Sequence, residues 1–384
     1  MHPAASQRLF SFLGFLFFFS VIGSAQELAI VETVPRPNQV DVSAFSDILL
    51  RFNRPVSADW LNEGTLQVIG EKSGAVVGTL SIQPDGLGAV YTPQRPFLPG
   101  DRVAVILVKQ PGRPETLLKQ GYIWEFYIKP ERGSREFKSI QTQIGLTLTS
   151  LAAADFNQDG RIDIAVTGRK GTADWLILLY FRDGRWVKGD SLLLPHRVRP
   201  LSAADLNRDG TPDLVLVHRG RTRYSLPPRI STVLVDRGRL VLGQTIDLLY
   251  AQLGYAEPRG VAVHDYNNDG WLDIAVAIRN DDQRSGLVYP NDGTGRFPTQ
   301  RPPVVSFSKE KFAESIFCAD LNRSGFIDIG FGYSLNPAKV ELHLNDGALN
   351  LKPWRVLDNL SADLELGAAA DLTGDGNADV VLGD

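Results

Sequence analysis

Between Gln26 and about Pro130 the chain alternates short apolar runs with Gly, Pro and Asn turns. The runs are Ile48–Phe52, Thr65–Ile69, Ala89–Tyr91, Val103–Leu107 and Tyr122–Tyr127, each of strand length, and none carries a helical period. From residue 138 onward the pattern becomes repetitive. Five apolar runs, Leu151–Ala154, Leu201–Ala204, Val261–His264, Ile316–Ala319 and Gly367–Ala370, each lead into a polar loop. Each loop is followed by a second run: Ile164–Val166, Leu214–Leu216, Ile274–Val276, Ile329–Phe331 and Val380–Leu382. Two strands joined by a polar loop are predicted in every unit.

A second hairpin follows in four of the units. Trp175–Phe181 turns at Arg182-Asp183-Gly184-Arg185, and Thr232–Val235 turns at Asp236-Arg237-Gly238. Leu287–Tyr289 turns at Asn291-Asp292-Gly293, and Val340–Leu344 at Asn345-Asp346-Gly347. Asp-Gly between apolar runs is a hairpin signal, because both residues tolerate the positive φ of a tight turn. Two hairpins per unit predict four-stranded sheets in series. The first residues of the polar loops lie 50, 60, 55 and 51 residues apart, a period that suits a propeller or a solenoid.

The polar loops share one nine-residue phrase. It reads Asp155-Phe156-Asn157-Gln158-Asp159-Gly160-Arg161-Ile162-Asp163, then Asp205-Leu206-Asn207-Arg208-Asp209-Gly210-Thr211-Pro212-Asp213, then Asp265-Tyr266-Asn267-Asn268-Asp269-Gly270-Trp271-Leu272-Asp273. Two further copies are Asp320-Leu321-Asn322-Arg323-Ser324-Gly325-Phe326-Ile327-Asp328 and Asp371-Leu372-Thr373-Gly374-Asp375-Gly376-Asn377-Ala378-Asp379. An oxygen-bearing side chain stands at positions one, three, five and nine of every copy, with Gly at position six. A single such stretch is as readily a turn built by Asp, Asn and Gly. Five in register point to calcium, a hard cation that takes six to eight oxygens.

The candidate ligands are Asp155, Asn157, Asp159 and Asp163 in the first loop, with Arg161 giving only its backbone carbonyl. The corresponding sets are Asp205, Asn207, Asp209, Asp213 with Thr211; Asp265, Asn267, Asp269, Asp273 with Trp271; Asp320, Asn322, Ser324, Asp328 with Phe326; and Asp371, Thr373, Asp375, Asp379 with Asn377. Three carboxylates about 4–5 Å apart would repel by roughly 3–4 kcal/mol per pair at an effective dielectric near 20. An occupied loop is therefore expected. The fourth copy has Ser324 in place of a carboxylate and the fifth has Thr373 in place of Asn, so both should bind more weakly.

These loops and hairpins resemble the FG-GAP/VCBS repeat family of calcium-binding β-propellers, related to the blades of integrin α-subunit heads. That resemblance implies a calcium ion in the loop between two strands of each blade. The earlier stretch resembles a bacterial Ig-like domain, on the cues Phe52-Asn53-Arg54-Pro55-Val56, Leu98-Pro99-Gly100-Asp101 and Trp124-Glu125-Phe126. The expected fold is all-β: an Ig-like β-sandwich over 26–130, a linker over 131–137 and a propeller over 138–384 with five visible repeats. The last repeat lacks its second hairpin. Either Phe137–Gln141 returns to that sheet or the chain is a piece of a larger ring; the second is preferred, since one strand cannot replace two.

Composition adds limits. Residues 1–25 carry Arg8, an apolar run from Leu9 to Ile22 and small residues before Gln26, as an export signal does. Secretion, a periplasmic place or the cell surface is expected, with no membrane span after cleavage. A net charge of −4 over 384 residues gives no electrostatic footprint for nucleic acid. Cys318 is the lone cysteine and occupies an alanine slot, so it reads as a small buried residue.

Catalytic chemistry is not evident in the sequence. His196, His218, His264 and His343 have no partner motif, and the paired acids recur in every unit, whereas a glycosidase needs one pair. Arg219, Arg221, Arg223, Tyr224 and Arg229 crowd one loop, with Arg169 and Lys170 at a comparable place in the first unit. The expectation is a calcium-binding, non-enzymatic adhesion or scaffolding protein presenting loops to a glycan or an extracellular protein. The alternative is part of a carbohydrate-active enzyme, polysaccharide lyase-like, on the same framework.

Overall fold

The structure is a computed structural model, and it describes residues 28–383 apart from 109–120, 132–139, 196–197, 219–227, 249–255, 281–285, 299–303, 307–312, 335–336, 361–363, 365 and 374. The export signal, most of the expected linker, His196 and the Arg219–Tyr224 cluster lie outside the described residues. Every regular element described is a β-strand.

The N-terminal part forms two sheets. Its strands are β1 (Ile30–Val34), β2 (Gln39–Val42), β3 (Ile48–Phe52), β4 (Leu66–Gly70), β5 (Gly74–Ala75), β6 (Gly78–Ile82), β7 (Gly88–Pro93), β8 (Arg102–Leu107) and β9 (Tyr122–Ile128). One sheet runs β1-β3-β7-β6 and the other β2-β9-β8-β4-β5, with β2 parallel to β9. They pack on a shared core of Ile48, Leu50, Phe52, Tyr91, Val103, Val105, Leu107, Trp124 and Phe126. All five predicted strands are present. The short strands β1, β2, β5 and β6 escaped the hydrophobic pattern because they lie at or next to sheet edges and bury few side chains.

The second part is a succession of antiparallel sheets. The first holds β10 (Thr147–Ala154), β11 (Asp163–Lys170), β12 (Ala173–Arg182) and β13 (Arg185–Leu194), and the second β14 (Val198–Ala204), β15 (Asp213–His218), β16 (Arg229–Asp236) and β17 (Arg239–Asp247). The third holds β18 (Ala256–His264), β19 (Asp273–Asn280), β20 (Gly286–Tyr289) and β21 (Val304–Ser306). The fourth holds β22 (Ala313–Ala319), β23 (Asp328–Tyr333), β24 (Ala338–Leu344) and β25 (Lys352–Leu360), and the last only β26 (Leu366–Ala370) and β27 (Asp379–Gly383). The first two Asp-Gly hairpins form as predicted, with Asp183, Gly184, Arg237 and Gly238 at positive φ between 50° and 77°, whereas longer connections, from Tyr289 to Val304 and from Leu344 to Lys352, join the strands of the other two.

Neighbouring sheets meet through their first strands, β10 on β14, β14 on β18, β18 on β22 and β22 on β26. No substantial packing of β26 or β27 back onto β10 is seen among the described residues.

The two parts are not beads on a string. In β8, Val103, Val105 and Leu107 face the core between the two N-terminal sheets, while Ala104 and Ile106 face the other way. With Ile69 and Ile123 they join a core that includes Leu206, Val215, Tyr266, Leu272, Ile274 and Ile327 of the repeats. The five-stranded sheet is thus covered on both faces, which is why β8 reads as an unbroken apolar run.

Candidate functional site

The nine-residue phrase always spans the same join. The upstream strand ends one residue before position one, and position nine is the first residue of the next strand: Asp163, Asp213, Asp273, Asp328 and Asp379 open β11, β15, β19, β23 and β27. Each loop folds on its own hydrogen bonds. The position-one carboxylate accepts from the amide of the glycine at position six, Gly160 to Asp155 at 2.8 Å, Gly210 to Asp205 at 2.9 Å, Gly270 to Asp265 at 2.6 Å, Gly325 to Asp320 at 2.8 Å and Gly376 to Asp371 at 2.6 Å. The amide oxygens of Asn157, Asn207, Asn267 and Asn322 accept from the N–H at position five, and Asp159, Asp209, Asp269 and Asp375 accept from the N–H at position seven. The glycines at position six have φ of 79–86°, where a side chain would be strained.

Position nine does different work. Asp213 accepts from Leu206 N and Val235 N, Asp273 from Tyr266 N and Asn291 N, and Asp328 from Leu321 N and Asn345 N, at 2.8–3.1 Å. It ties its loop to the far end of the third strand. Asn291 and Asn345, which open the second hairpin's turn, also donate back to the preceding repeat, to Leu206 O at 3.1 Å and to Tyr266 O at 2.6 Å.

Among the described residues no three or more His, Cys, Asp or Glu side chains converge into a group that would hold a metal ion. The position-one and position-nine carboxylates accept from backbone N–H donors, and the ninth also reaches the end of the third strand. The residues still fit a hard cation. Asp163 Oδ2, Asp205 Oδ1 and Ser324 Oγ are buried without a partner among the described residues, and the donors are all oxygens.

The electrostatics agree. Burial first, and neighbouring carboxylates after it, push Asp163 up to about 7, Asp213 up to about 8 and Asp265 up to about 7. Burial also lifts Asp205 to about 6 and Asp328 to about 7. Buried acids so displaced lack positive charge, which a cation would supply.

The N-terminal module sits on this loop face and touches every loop. Asp155 N donates to Lys72 O at 2.8 Å, Ala75 N to Asp205 Oδ2 at 2.9 Å, Ile123 N to Gly325 O at 2.9 Å and Asn38 Nδ2 to Gly376 O at 3.2 Å. At the third loop a Cβ on Gly270 would lie 2.6 Å from Val108 and 2.9 Å from Gln67.

Behind the loops a pocket of about 380 Å³ opens between first strands. Its walls are Ser202-Ala203, Val261-Ala262-Val263, Ile316-Phe317-Cys318 and Gly367-Ala368-Ala369; its floor, from the N-terminal module, is Glu71, Arg102 and Tyr127. Arg102 Nε donates to Glu71 Oε2 at 3.2 Å and lies 3.6 Å from Glu125 Oε1. Glu125 in turn meets His264 Nε2 at 2.9 Å, and His264 Nδ1 accepts from Asp265 N at 2.8 Å, which leaves Nε2 to donate to Glu125. Burial opposes a charged Glu125, yet Arg102 and His264 outweigh it and hold the carboxyl at about 2. A larger groove of about 1110 Å³ lies between β1, β2 and the fifth loop, and its lining includes Glu32, Arg36, Arg323, Asp371 and Asp375.

Sequence reasoning missed Glu125, Arg102 and Tyr127. A charged residue set among Ile123, Trp124 and Phe126 was the available signal. His264 has the partner that no motif revealed. His218 bonds Ser231 Oγ at 2.9 Å, and His343 stacks edge-on to Phe331. Cys318 is buried, as its alanine slot implied. Of the basic residues, Arg169 pairs with Asp174 and Arg229 with Asp247, so neither offers an unengaged charge.

Residues 155–216 and 265–331 match the FG-GAP-like repeat family, so the chain contains an FG-GAP-like repeat region. No curated protein matches the chain. Among solved structures it is similar to a rhamnogalacturonan lyase of Bacillus licheniformis, at 13% identity and a TM-score of 0.38, over 91% of this chain and 73% of that one. The rhamnogalacturonan lyase YesW is similar at 11% identity and 0.38, over 91% and 74%. A putative oxidoreductase (glucose dehydrogenase) of Thermus thermophilus is similar at 16% identity and 0.38, over 83% and 99%.

The expectation of a non-enzymatic adhesion or scaffolding protein is corrected on this finding, because carbohydrate-active lyases recur among the similar structures. At these TM-scores the likeness is one of arrangement, and it transfers no active-site residue. No helix among the described residues is long and apolar enough to cross a membrane.

Proposed function

We propose that this chain is part of a carbohydrate-active enzyme of the polysaccharide-lyase kind, exported, with an Ig-like sandwich seated on an FG-GAP propeller whose loops hold calcium. The ligands are the side chains at positions one, three, five and nine of each loop and the carbonyl at position seven. Calcium supplies charge that lets the buried loop acids ionise together, and so fixes the loops against the N-terminal module.

The observation that carries the reading is the pocket floor. Arg102, held by Glu71 and close to Glu125, is a cation at the pocket floor, Glu71 is a half-exposed carboxylate, and Tyr127, pushed upward first by burial, keeps its proton and can donate it. A cation, a base and an acid around one small cavity are what proton removal beside a carboxylate requires.

The test is incubation of the calcium-loaded protein with a panel of acidic polysaccharides, reading new unsaturated chain ends by ultraviolet absorbance. Ends should accumulate, and should be lost in Arg102→Ala and reduced in Tyr127→Phe. A folded, calcium-loaded protein that produces none on any substrate overturns the proposal.

A further inference from the structure

The fourth residue of each loop is not among the candidate ligands. Gln158, Arg208, Asn268 and Arg323 all adopt the left-handed conformation, with φ of 57°, 59°, 55° and 60°. That region is uncommon for residues other than Gly, and for long side chains such as Gln and Arg it is unfavourable. Glycine would suit the backbone better, so something holds these side chains in place.

Each one reaches into the next loop. Gln158 Nε2 donates to Thr211 Oγ1 at 2.8 Å, at position seven of loop two. The Arg208 guanidinium lies 3.8 Å over the ring of Trp271, at position seven of loop three. Asn268 Nδ2 donates to Gly325 O at 3.3 Å, at position six of loop four. Arg323 donates from Nε to Gly376 O at 2.8 Å and from Nη2 to Asp375 O at 2.9 Å, at positions six and five of loop five. The fourth residue of the fifth loop is Gly374, which has no side chain to pass on.

A position-four side chain reaches positions five to seven of the next loop at four successive joins, although Gln, Asn and the two Arg side chains differ in chemistry. Position four lies between the position-three and position-five ligands of its own loop. Its target lies at the segment that carries the position-seven carbonyl of the next. A cation that fixes one loop therefore fixes a lever seated on its neighbour, and the neighbour orders at lower cost.

We propose that the loops load calcium as a coupled series, with Gln158, Arg208, Asn268 and Arg323 as the levers. The inference rests on the calcium reading above but goes beyond it, since independent sites would satisfy that reading equally well.

Trp271 gives a local readout, because terbium bound in loop three is sensitised by an indole at position seven. Terbium titrations of the full chain should give a loop-three midpoint that shifts about fivefold or more to weaker binding when loop two is disabled by Asp209→Asn. In Arg208→Gly, which keeps the left-handed backbone and removes the lever, the same Asp209→Asn change should leave the midpoint unmoved. Gln158→Gly, tested against Asp159→Asn by calorimetric calcium titration, repeats the cycle one join earlier. Saturable signals with no Asp209→Asn shift, or a shift that persists in Arg208→Gly, overturn the coupling alone. Absence of any saturable terbium or calcium signal overturns the calcium reading, and the coupling with it.

Discussion

Loop one and loop three spell almost the same phrase and live in different surroundings. Asp265, Asn268 and Asp273 of loop three are fully buried, whereas Gln158, Asp159, Gly160 and Arg161 of loop one are exposed. The difference is the N-terminal module, whose β4 and β9 ends cover the middle loops and only touch the outer ones. Burial pushes Asp273 well up, with Asp265 adding to it, and pushes its loop-one counterpart Asp163 up to about 7. Equal motifs thus carry unequal energetic weight.

Removing calcium is the broadest way to sharpen that contrast. A site saturated at about 100 times its dissociation constant adds roughly 2.7 kcal/mol, so excess chelator should lower the melting temperature by the sum over filled loops. An unchanged melting curve would count against calcium in all of them.

Single loops come next. Asp273→Ala leaves the buried Tyr266 N and Asn291 N without an acceptor, at a cost of about 1–3 kcal/mol each. Denaturant unfolding should show that loss to be larger than for Asp163→Ala, and larger again than for Asp379→Ala, whose side chain is only half-buried. Equal losses in all three would erase the distinction between covered and open loops.

Acid titration probes the cover itself. Glu125 is held at about 2 against an ordinary value of 4.5, so its contribution is present above the ordinary value and disappears as pH falls toward 2. The shift corresponds to roughly 3 kcal/mol at most. Glu125→Gln should flatten this acid limb of the stability curve, and an unchanged limb would refute the role given to Arg102 and His264. The smallest effect concerns ligand number: Asp159→Ala should reduce calcium affinity more than Ser324→Ala, as read by calorimetry.

Much of the candidate site was legible because it is local. The Gly at position six needs positive φ, the acids alternate with the turn, and the hairpin residues Asp183-Gly184 fix their own geometry. The corrections came from contacts between distant residues. Spacing placed the acids of each loop together, but it did not show that Asp213 and Asp273 also take the N–H groups of Val235 and Asn291, 22 and 18 residues further on. His264 had no partner motif in the sequence, and the fold brings Glu125, 139 residues away, to its ring.

Local periodicity and turn chemistry determined the strands, the five acidic loops and the hairpins, since each depends on residues close to one another along the chain. Tertiary structure alone decided which loops are covered, that Val103–Leu107 is buried on both faces, and that Arg102, Glu71 and Tyr127 floor a pocket walled by the repeats. Those outcomes depend on which surfaces meet, and a sequence read in short windows carries no record of its distant neighbours.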